Sequence, residues 1–362
     1  MSNTLDNVYG QYDDVSEILD RLINNVSGSS EITFDDSLID NPESDPNIGL
    51  FTVKSANHVI AEACSRPKPS KLFGQLWWEH EVCILFADTN VGKSILAVQI
   101  ADGISKGKKV LGLEMEANPQ LILYCDFELS DKQFELRYHN ETKDNHYTFS
   151  DNFLHAAINP DADFPDEMDF EDYLKMSLEK VVSERNVKIV IVDNLTYLNQ
   201  QTEQAKDALP LMKWLKAFGR KYELSILVLA HTPKRNPSNP ITRNDLQGSK
   251  MLINFCDGCF AIGESAKDKS IRYIKEIKQR NGSFLYDSEN VIVCEIQKPD
   301  NFVMFQFVGY GVESEHLKQI DESERLGLIE KCKTLKMQGK SQREIANMLG
   351  ISLGSVSNYL KK

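Results

Sequence analysis

The stretch from Val82 to Ser105 constrains this chain more than any other. It opens with VCILF (82–86), an uninterrupted apolar run of strand length, and passes through Ala87-Asp88-Thr89-Asn90-Val91-Gly92-Lys93-Ser94 into a helix predicted over Lys93–Ser105. A strand that feeds through such a loop into a helix aims successive backbone N–H groups, and the positive end of the helix dipole, at one spot. That spot suits a phosphate. Gly92 lets the backbone approach closely, Lys93 reaches the β- and γ-phosphates, and the Ser94 hydroxyl is a ligand for Mg2+. Thr89, Asn90, Val91 and Ile95 complete the expected contacts, so the implied cofactors are ATP and Mg2+. One residue departs from the usual pattern: Ala87 stands where glycine is common.

The middle of the chain repeats the alternation. LILYCDF (121–127), KIVIVD (188–193) and SILVLA (225–230) are strand-length runs, with helices predicted from Asp131, over Glu171–Glu184 and over Gln204–Tyr222. Runs such as IVIV and ILVL lack polar alternation, so both strand faces must be covered, as in a parallel sheet sandwiched by helices. After Phe260 the pattern turns β-rich in IRYIKEIK, VIVCEI and FVMFQFV, which predicts antiparallel additions. From Glu322 onward it is helical. The expected fold class is α/β with a mainly parallel sheet, followed by a tri-helical C-terminal module. The expected domains are an acidic helix and linker (1–50), an ATPase domain (51–315) and a small helical domain (322–362).

A phosphate loop needs an acid on a second strand. Asp193 ends KIVIVD and is the candidate to act on Mg2+, directly or through water. Hydrolysis also needs a group to orient water across the γ-phosphate from Lys93. Glu128, just past LILYCDF, is the better-placed carboxylate; Asp126 points to the opposite strand face and is the alternative.

These segments together resemble the hexameric RecA-fold replicative helicases of the DnaB and plasmid RepA type, over about residues 70–310. An alanine-led phosphate loop is common in the DnaB branch. Phe127-Glu128-Leu129-Ser130, with Gln133 and Arg137, looks like the segment that carries the family's catalytic glutamate. His231, after SILVLA, falls where the family places a γ-phosphate sensor. Asp245-Leu246-Gln247-Gly248-Ser249 and Asp257 look like the helix region before a fifth core strand. Lys278-Gln279-Arg280-Asn281-Gly282 matches the turn that projects an arginine finger, with its companion lysine, into the adjacent subunit's site. The resemblance therefore implies a RecA-like core, a homo-oligomer of hexameric type, and a helicase-like DNA motor of a plasmid or mobile element. A DNA-binding regulator whose oligomeric state ATP switches stays open as the alternative. The loops after Asp193 (Leu195–Gln204) and after His231 (Lys234, Arg235, Arg243) occupy positions that line a central channel in the family. Lys234 and Arg235 are thus candidates for tracking a single strand's phosphates, or else for a solvated loop.

The chain's two ends carry opposite charge within a total of −13. Residues 1–50 hold eleven acids against Arg21 alone, and a short amphipathic helix is predicted at about 12–25 from Val15, Ile18, Leu19, Leu22 and Ile23. It is marginal by itself and should dock on its own domain or on a neighbouring subunit. Residues 331–362 hold seven basic residues against Glu344 alone. There Ser341-Gln342-Arg343-Glu344 predicts a capping box, Ile345, Met348 and Leu349 an inward face, and Ser352 the cap of a second helix. With Leu328–Met337 this resembles a helix–turn–helix, presenting Ser355, Ser357, Asn358 and Lys361 to a duplex major groove and Lys340 and Arg343 to its phosphates. A small interaction bundle with a solvated basic face is the other reading. Seven scattered cysteines, no secretory leader pattern and no run near the length of a membrane span lead us to expect a cytoplasmic protein without a membrane partner. The lone Cys256-x-x-Cys259 and Trp77-Trp78 read as structural side chains.

Overall fold

The computed structural model describes residues 47–165, 168–198, 205–233, 235–246, 250–319 and 322–361. The predicted N-terminal helix, most of the acidic linker, Lys234 and Gln247-Gly248-Ser249 lie outside them. The chain divides into two compact units, ending and beginning at Lys68 and Pro69. The first unit contains a short hairpin, β1 (Asn47–Ile48) with β2 (Phe51–Thr52), and helix α1 (Ala56–Cys64) capped by the Ser55 side chain.

The second unit is organised by a sheet of nine strands among the described residues. In chain order its elements are β3 (Lys71–Phe73) and β4 (Trp77–Trp78), which pair as a hairpin, then β5 (Val82–Ala87), α2 (Lys93–Lys106), β6 (Ile122–Asp126) and α3 (Asp131–Arg137). A second hairpin follows, β7 (His139–Asn140) with β8 (Asn145–His146), then β9 (Phe153–Ala156), α4 (Phe170–Arg185), β10 (Ile189–Asp193), α5 (Ala205–Tyr222) and β11 (Ser225–His231). The remainder is α6 (Lys250–Phe255), β12 (Gly258–Glu264), β13 (Ile271–Lys278), β14 (Val291–Gln297), β15 (Met304–Gly311), α7 (Glu322–Met337), α8 (Gln342–Leu349) and α9 (Leu353–Leu360).

The sheet order is β15-β14-β13-β12-β5-β11-β10-β6-β9. β12, β5, β11, β10, β6 and β9 run parallel, and β13 to β15 add antiparallel to β12. This is the RecA-like arrangement, with the antiparallel extension that the β-rich sequence after Phe260 predicts. The short edge strand β9 is an element the sequence pattern did not predict.

The apolar runs explain the layering. In β5, Cys83, Leu85 and Ala87 enter one core with α2, whereas Val82, Ile84 and Phe86 enter the opposite core with α4 and α5. Ile189 and Ile191 against Val190 and Val192 divide in the same way in β10. Each strand thus loses water from both faces, which accounts for the absence of polar alternation. Trp77 is fully buried in the α2-side core, as expected of a structural aromatic.

The three C-terminal helices close over Cys332, Ile345, Ala346 and Val356. Ser341 and Glu344 form the expected capping box, and Gly350 ends α8 in the left-handed region, where a residue with a Cβ would be strained. Met348 corrects the expected inward face: it is 60% exposed, because the bundle is too small to cover a third side chain of α8. The region before the fifth core strand also differs from a continuous helix. Among the described residues it contains a 3-10 turn at Arg243–Asp245, an extended Leu246 and the six-residue α6. All seven cysteines are unpaired, and Cys256 and Cys259 are buried in the core. Among the described residues no helix is long and apolar enough to cross a membrane.

Candidate active site

The parallel strands bring four separated segments to one edge. β10 and β6 pair with Asp193 opposite Asp126, and β11 and β5 pair with His231 opposite Ala87. The carboxyl ends of β5, β6, β10 and β11 are therefore level. Ligands bind at that edge in open α/β sheets, where loops leave toward opposite faces.

The loop after β5 has the conformation its residues permit. Asn90 and Gly92 have φ of 63° and 108°, so the chain turns back before α2 begins at Lys93. At Gly92 a Cβ would also lie 2.9 Å from Ile296 Cδ1 and 3.0 Å from the Phe305 ring, so glycine is required by space as well as by backbone. Val91 is buried, and its carbonyl accepts from Arg272 Nε at 2.9 Å, which ties the loop to β13. Thr89 and Asn90 are exposed at the lip, with Ser94 and Ile95 half-buried behind them. The Lys93 ammonium folds over the loop, donating to the carbonyls of Ala87 (3.1 Å) and Asp88 (3.2 Å) and meeting His231 Nδ1 at 3.1 Å. Burial lowers its pKa, while the charges of Asp193, Glu128 and Asp88 oppose that shift.

Asp193 is 1% exposed. Its Oδ2 accepts from the Tyr124 hydroxyl at 2.8 Å. Its buried Oδ1 makes no hydrogen bond of good geometry, and the Ser94 hydroxyl faces the same carboxylate. Burial raises its pKa to about 6, against the lowering effect of Ser94 and Tyr124. A buried carboxylate with an unsatisfied oxygen beside a hydroxyl at a helix start suits a hard cation with oxygen ligands. Ser94 and Asp193 would hold Mg2+, which supplies charge neutralisation between the β- and γ-phosphates.

Glu128 lies across the same edge. Its Oε1 accepts from Asn194 Nδ2 and is 3.5 Å from His231 Nε2, which is in turn 3.3 Å from Asn194 Nδ2. These hydrogen bonds, that to His231 foremost, hold the Glu128 pKa below its ordinary value and keep it ionised at neutral pH. Asp126, the alternative acid, instead accepts from the backbone N–H of Glu128 (3.1 Å) and Leu129 (2.9 Å) and faces His155 at 3.4 Å. It holds the turn that presents Glu128. Lys93, His231, Asn194 and Glu128 thus form one continuous polar chain from the phosphate loop to the Glu128 carboxylate, the candidate to orient water.

Residues 53–237, just over half of the chain, match the family model described as AAA domain. The chain belongs to the AAA domain family. A KaiC-like protein of the hyperthermophilic archaeon Pyrococcus horikoshii OT3 is similar in structure, with 14% identity, over 63% of this chain and 90% of that chain, at a TM-score of 0.42. No curated protein matches the sequence. Membership of the AAA domain family makes the chain a P-loop ATPase domain protein and implies nucleotide binding, with Mg2+ as the usual companion ion.

The other candidate residues fall elsewhere. β13 runs antiparallel to β12, which places Lys278 opposite Cys259 at the edge where the parallel strands begin. The strand lengths put that edge about 20 Å from the phosphate loop. Lys278 Nζ donates to the carbonyls of Ile253, Asn254 and Cys256, covering the end of α6. Arg280 is half-exposed and pairs with Asp257 Oδ1 and the Asn254 carbonyl, both at 3.0 Å. Neither reaches its own chain's site. Arg235 corrects the expectation of a DNA-tracking side chain: it is largely buried, bonding Asp88 Oδ2 at 3.2 Å and the Asn239 carbonyl at 2.9 Å. Its guanidinium braces the phosphate loop, where Thr232 also donates to Asp88. In the C-terminal bundle Arg343, Asn358 and Lys361 are exposed, Lys340 lies 3.9 Å from Glu344, and Ser357 is half-buried. Ser355 is half-buried; its backbone N–H donates to the Ser352 side chain at 3.0 Å, and the two hydroxyls lie 2.8 Å apart at the α9 cap.

Asn194, Tyr124 and Arg272 are site residues that the sequence reasoning did not single out in these roles. The only local signal was for Asn194, which directly follows the strand-end Asp193.

Proposed function

We propose that the chain is an oligomeric RecA-fold motor that couples Mg-ATP hydrolysis to action on DNA. The observation that carries this reading is the joining of Lys93, Ser94, Asp193, Glu128 and His231 at one sheet edge, with Arg280 at the other. In this reading Lys93 steadies the phosphates, Glu128 orients the attacking water, and His231 reports the γ-phosphate to the loop that follows it. Arg280 serves a neighbouring copy, where a guanidinium supplied in trans is worth about 10³-fold or more in rate. Support for a neighbour comes from a cavity of about 420 Å3 beside Arg280, lined by Lys213, Lys216 and Arg220, whose charge suits a phosphate. Exposed Leu50, Phe51, Val59 and Ile60 in the first unit also favour a protein partner, and a hexameric ring is the assembly proposed.

The C-terminal bundle is proposed as a helix–turn–helix tether to duplex DNA, through Arg343, Asn358 and Lys361 with Lys340 beside them. The basic balance of residues 331–362 within an acidic chain supports this. Plasmid or mobile-element replication is the proposed setting, by resemblance to the helicases named above.

A second reading has its own observation. Asn236 Nδ2 donates to the Gly350 carbonyl at 2.9 Å, so the loop that follows His231 touches the α8–α9 turn. Nucleotide state could then switch DNA binding without strand separation. A forked-duplex unwinding assay run beside ATPase distinguishes the two. The motor predicts turnover stimulated by single-stranded DNA and strand separation that needs Lys93. Tight binding to one duplex sequence with little turnover and no separation would overturn it in favour of the switch.

A further inference from the structure

We propose that Glu135, His139 and His146 form a binding site for a divalent transition metal, zinc by its chemistry, which fastens α3 to the β7–β8 hairpin. The site is built by local geometry. Glu135 and His139 are four residues apart across the end of α3, so both side chains leave on the same side. His139 and His146 are directly paired across the hairpin, which puts both imidazoles on one face, stacked at 4.4 Å with 18° between their planes. The three side chains converge as a result.

Glu135 Oε1 lies 2.7 Å from His146 Nε2 and 3.7 Å from His139 Nδ1, and one donor atom from each residue lies within 4.8 Å of the other two. Three ligands around a tetrahedral zinc are separated by about 3.3 Å, so closing on an ion takes small side-chain rotations. The surroundings prepare these atoms as ligands. Asp144 Oδ1 is 3.2 Å from His139 Nε2, the ring nitrogen away from Glu135. Accepting a hydrogen bond from Nε2–H there leaves Nδ1 with a free lone pair and fixes the ring, as carboxylates behind zinc-bound histidines do. Lys132 engages the other oxygen of Glu135 at 2.6 Å, which leaves Oε1 for the cluster. Lys132 and His146 together hold the Glu135 pKa near 2, so the carboxylate is ionised whenever the imidazoles are neutral.

Two imidazoles and one carboxylate favour zinc and related ions over Mg2+ or Ca2+, which take oxygen ligands. A fourth position is left for water. α3 starts three residues after Glu128, so an ion here would stiffen the segment that carries the candidate water-orienting residue. The inference does not depend on the motor reading.

The test uses the full chain, stripped with a chelator and free of nucleotide. Zn2+ alone is titrated against a chromophoric competitor, and thermal unfolding is followed in parallel. Expected are one zinc per chain, a zinc-dependent rise in Tm, and a loss of affinity of about 100-fold in His139→Gln and His146→Gln. Asp144→Asn should weaken binding about tenfold without changing the stoichiometry. Mg-ATP binding measured on each variant confirms that it has folded. The inference is overturned if the wild-type chain takes up no zinc at micromolar concentrations. It is equally overturned if the double histidine variant, still able to bind Mg-ATP, keeps its zinc, since the ion would then belong to Cys256 and Cys259 or another site.

Discussion

The two edges of the parallel strands carry similar residue types and treat them in opposite ways. At the carboxyl edge, polar groups converge without fully satisfying one another: Asp193 Oδ1 is buried and unpartnered, and the Lys93 ammonium rests on main-chain carbonyls. At the amino edge the polar groups are paired. Asp257 takes both Lys216 and Arg280, Lys278 covers three carbonyls, and Glu81 accepts from Asn281 at 2.8 Å and from the Trp78 N–H. An edge left unsatisfied in this way is prepared for a ligand, whereas a matched one is stable until a partner offers something better. The proposed function thus assigns chemistry to one edge of the sheet and assembly to the other.

The largest test of that contrast is Arg280→Ala. If Arg280 completes a neighbour's site, ATP turnover by the assembled protein should fall at least ~10³-fold while nucleotide affinity changes little. Equal loss of both, or loss of neither, would break the contrast by making Arg280 a structural partner of Asp257 alone. Next in size, Glu128→Gln should slow phosphate release by about 10²- to 10⁴-fold and leave bound ATP trapped. Turnover near the wild-type rate would transfer the water-orienting role to another group.

A smaller effect concerns Asp193. Its folded pKa, about 6, lies above the ordinary carboxylate value, so the neutral form is favoured in the folded chain. Stability from this group is fully present below the unfolded pKa near 4 and is lost as pH rises through about 6. Mg2+ competes with that proton. Mg-dependent ATP affinity should therefore drop about tenfold for each pH unit below 6, and Asp193→Asn should abolish the dependence along with the metal. A flat profile between pH 5 and 7 in the wild-type chain would argue that Oδ1 is not the metal's ligand. The smallest effect expected is for Asn236→Ala, which removes the bond to the Gly350 carbonyl. Duplex affinity should then respond less to added ATP by a few-fold, with basal turnover unchanged, in a paired DNA-binding and ATPase measurement.

Much of the site was legible because its logic is local. A strand, a loop ending in Gly92-Lys93-Ser94 and a helix form one continuous stretch, and Asp193 and Glu128 each follow a strand-length run. Asn194, Tyr124 and Arg272 were not legible in their roles, since each acts on a residue brought near by strand pairing. Arg272 reaches Val91 across 181 positions of sequence. Arg235 misled for the same reason: a basic residue in a polar loop looks solvated until Asp88 is known to lie beside it. Met348 misled because helical spacing marks a face but not how much neighbouring surface exists to cover it.

By itself the sequence determined which stretches are strands buried on both faces, where the phosphate loop falls, and how the C-terminal helices are capped, because burial patterns and caps depend on residues a few positions apart. Only the tertiary structure decided the strand order, and with it the company each side chain keeps. Hydrogen bonds and ion pairs are fixed by distances of a few ångströms between segments that the chain separates by dozens of residues.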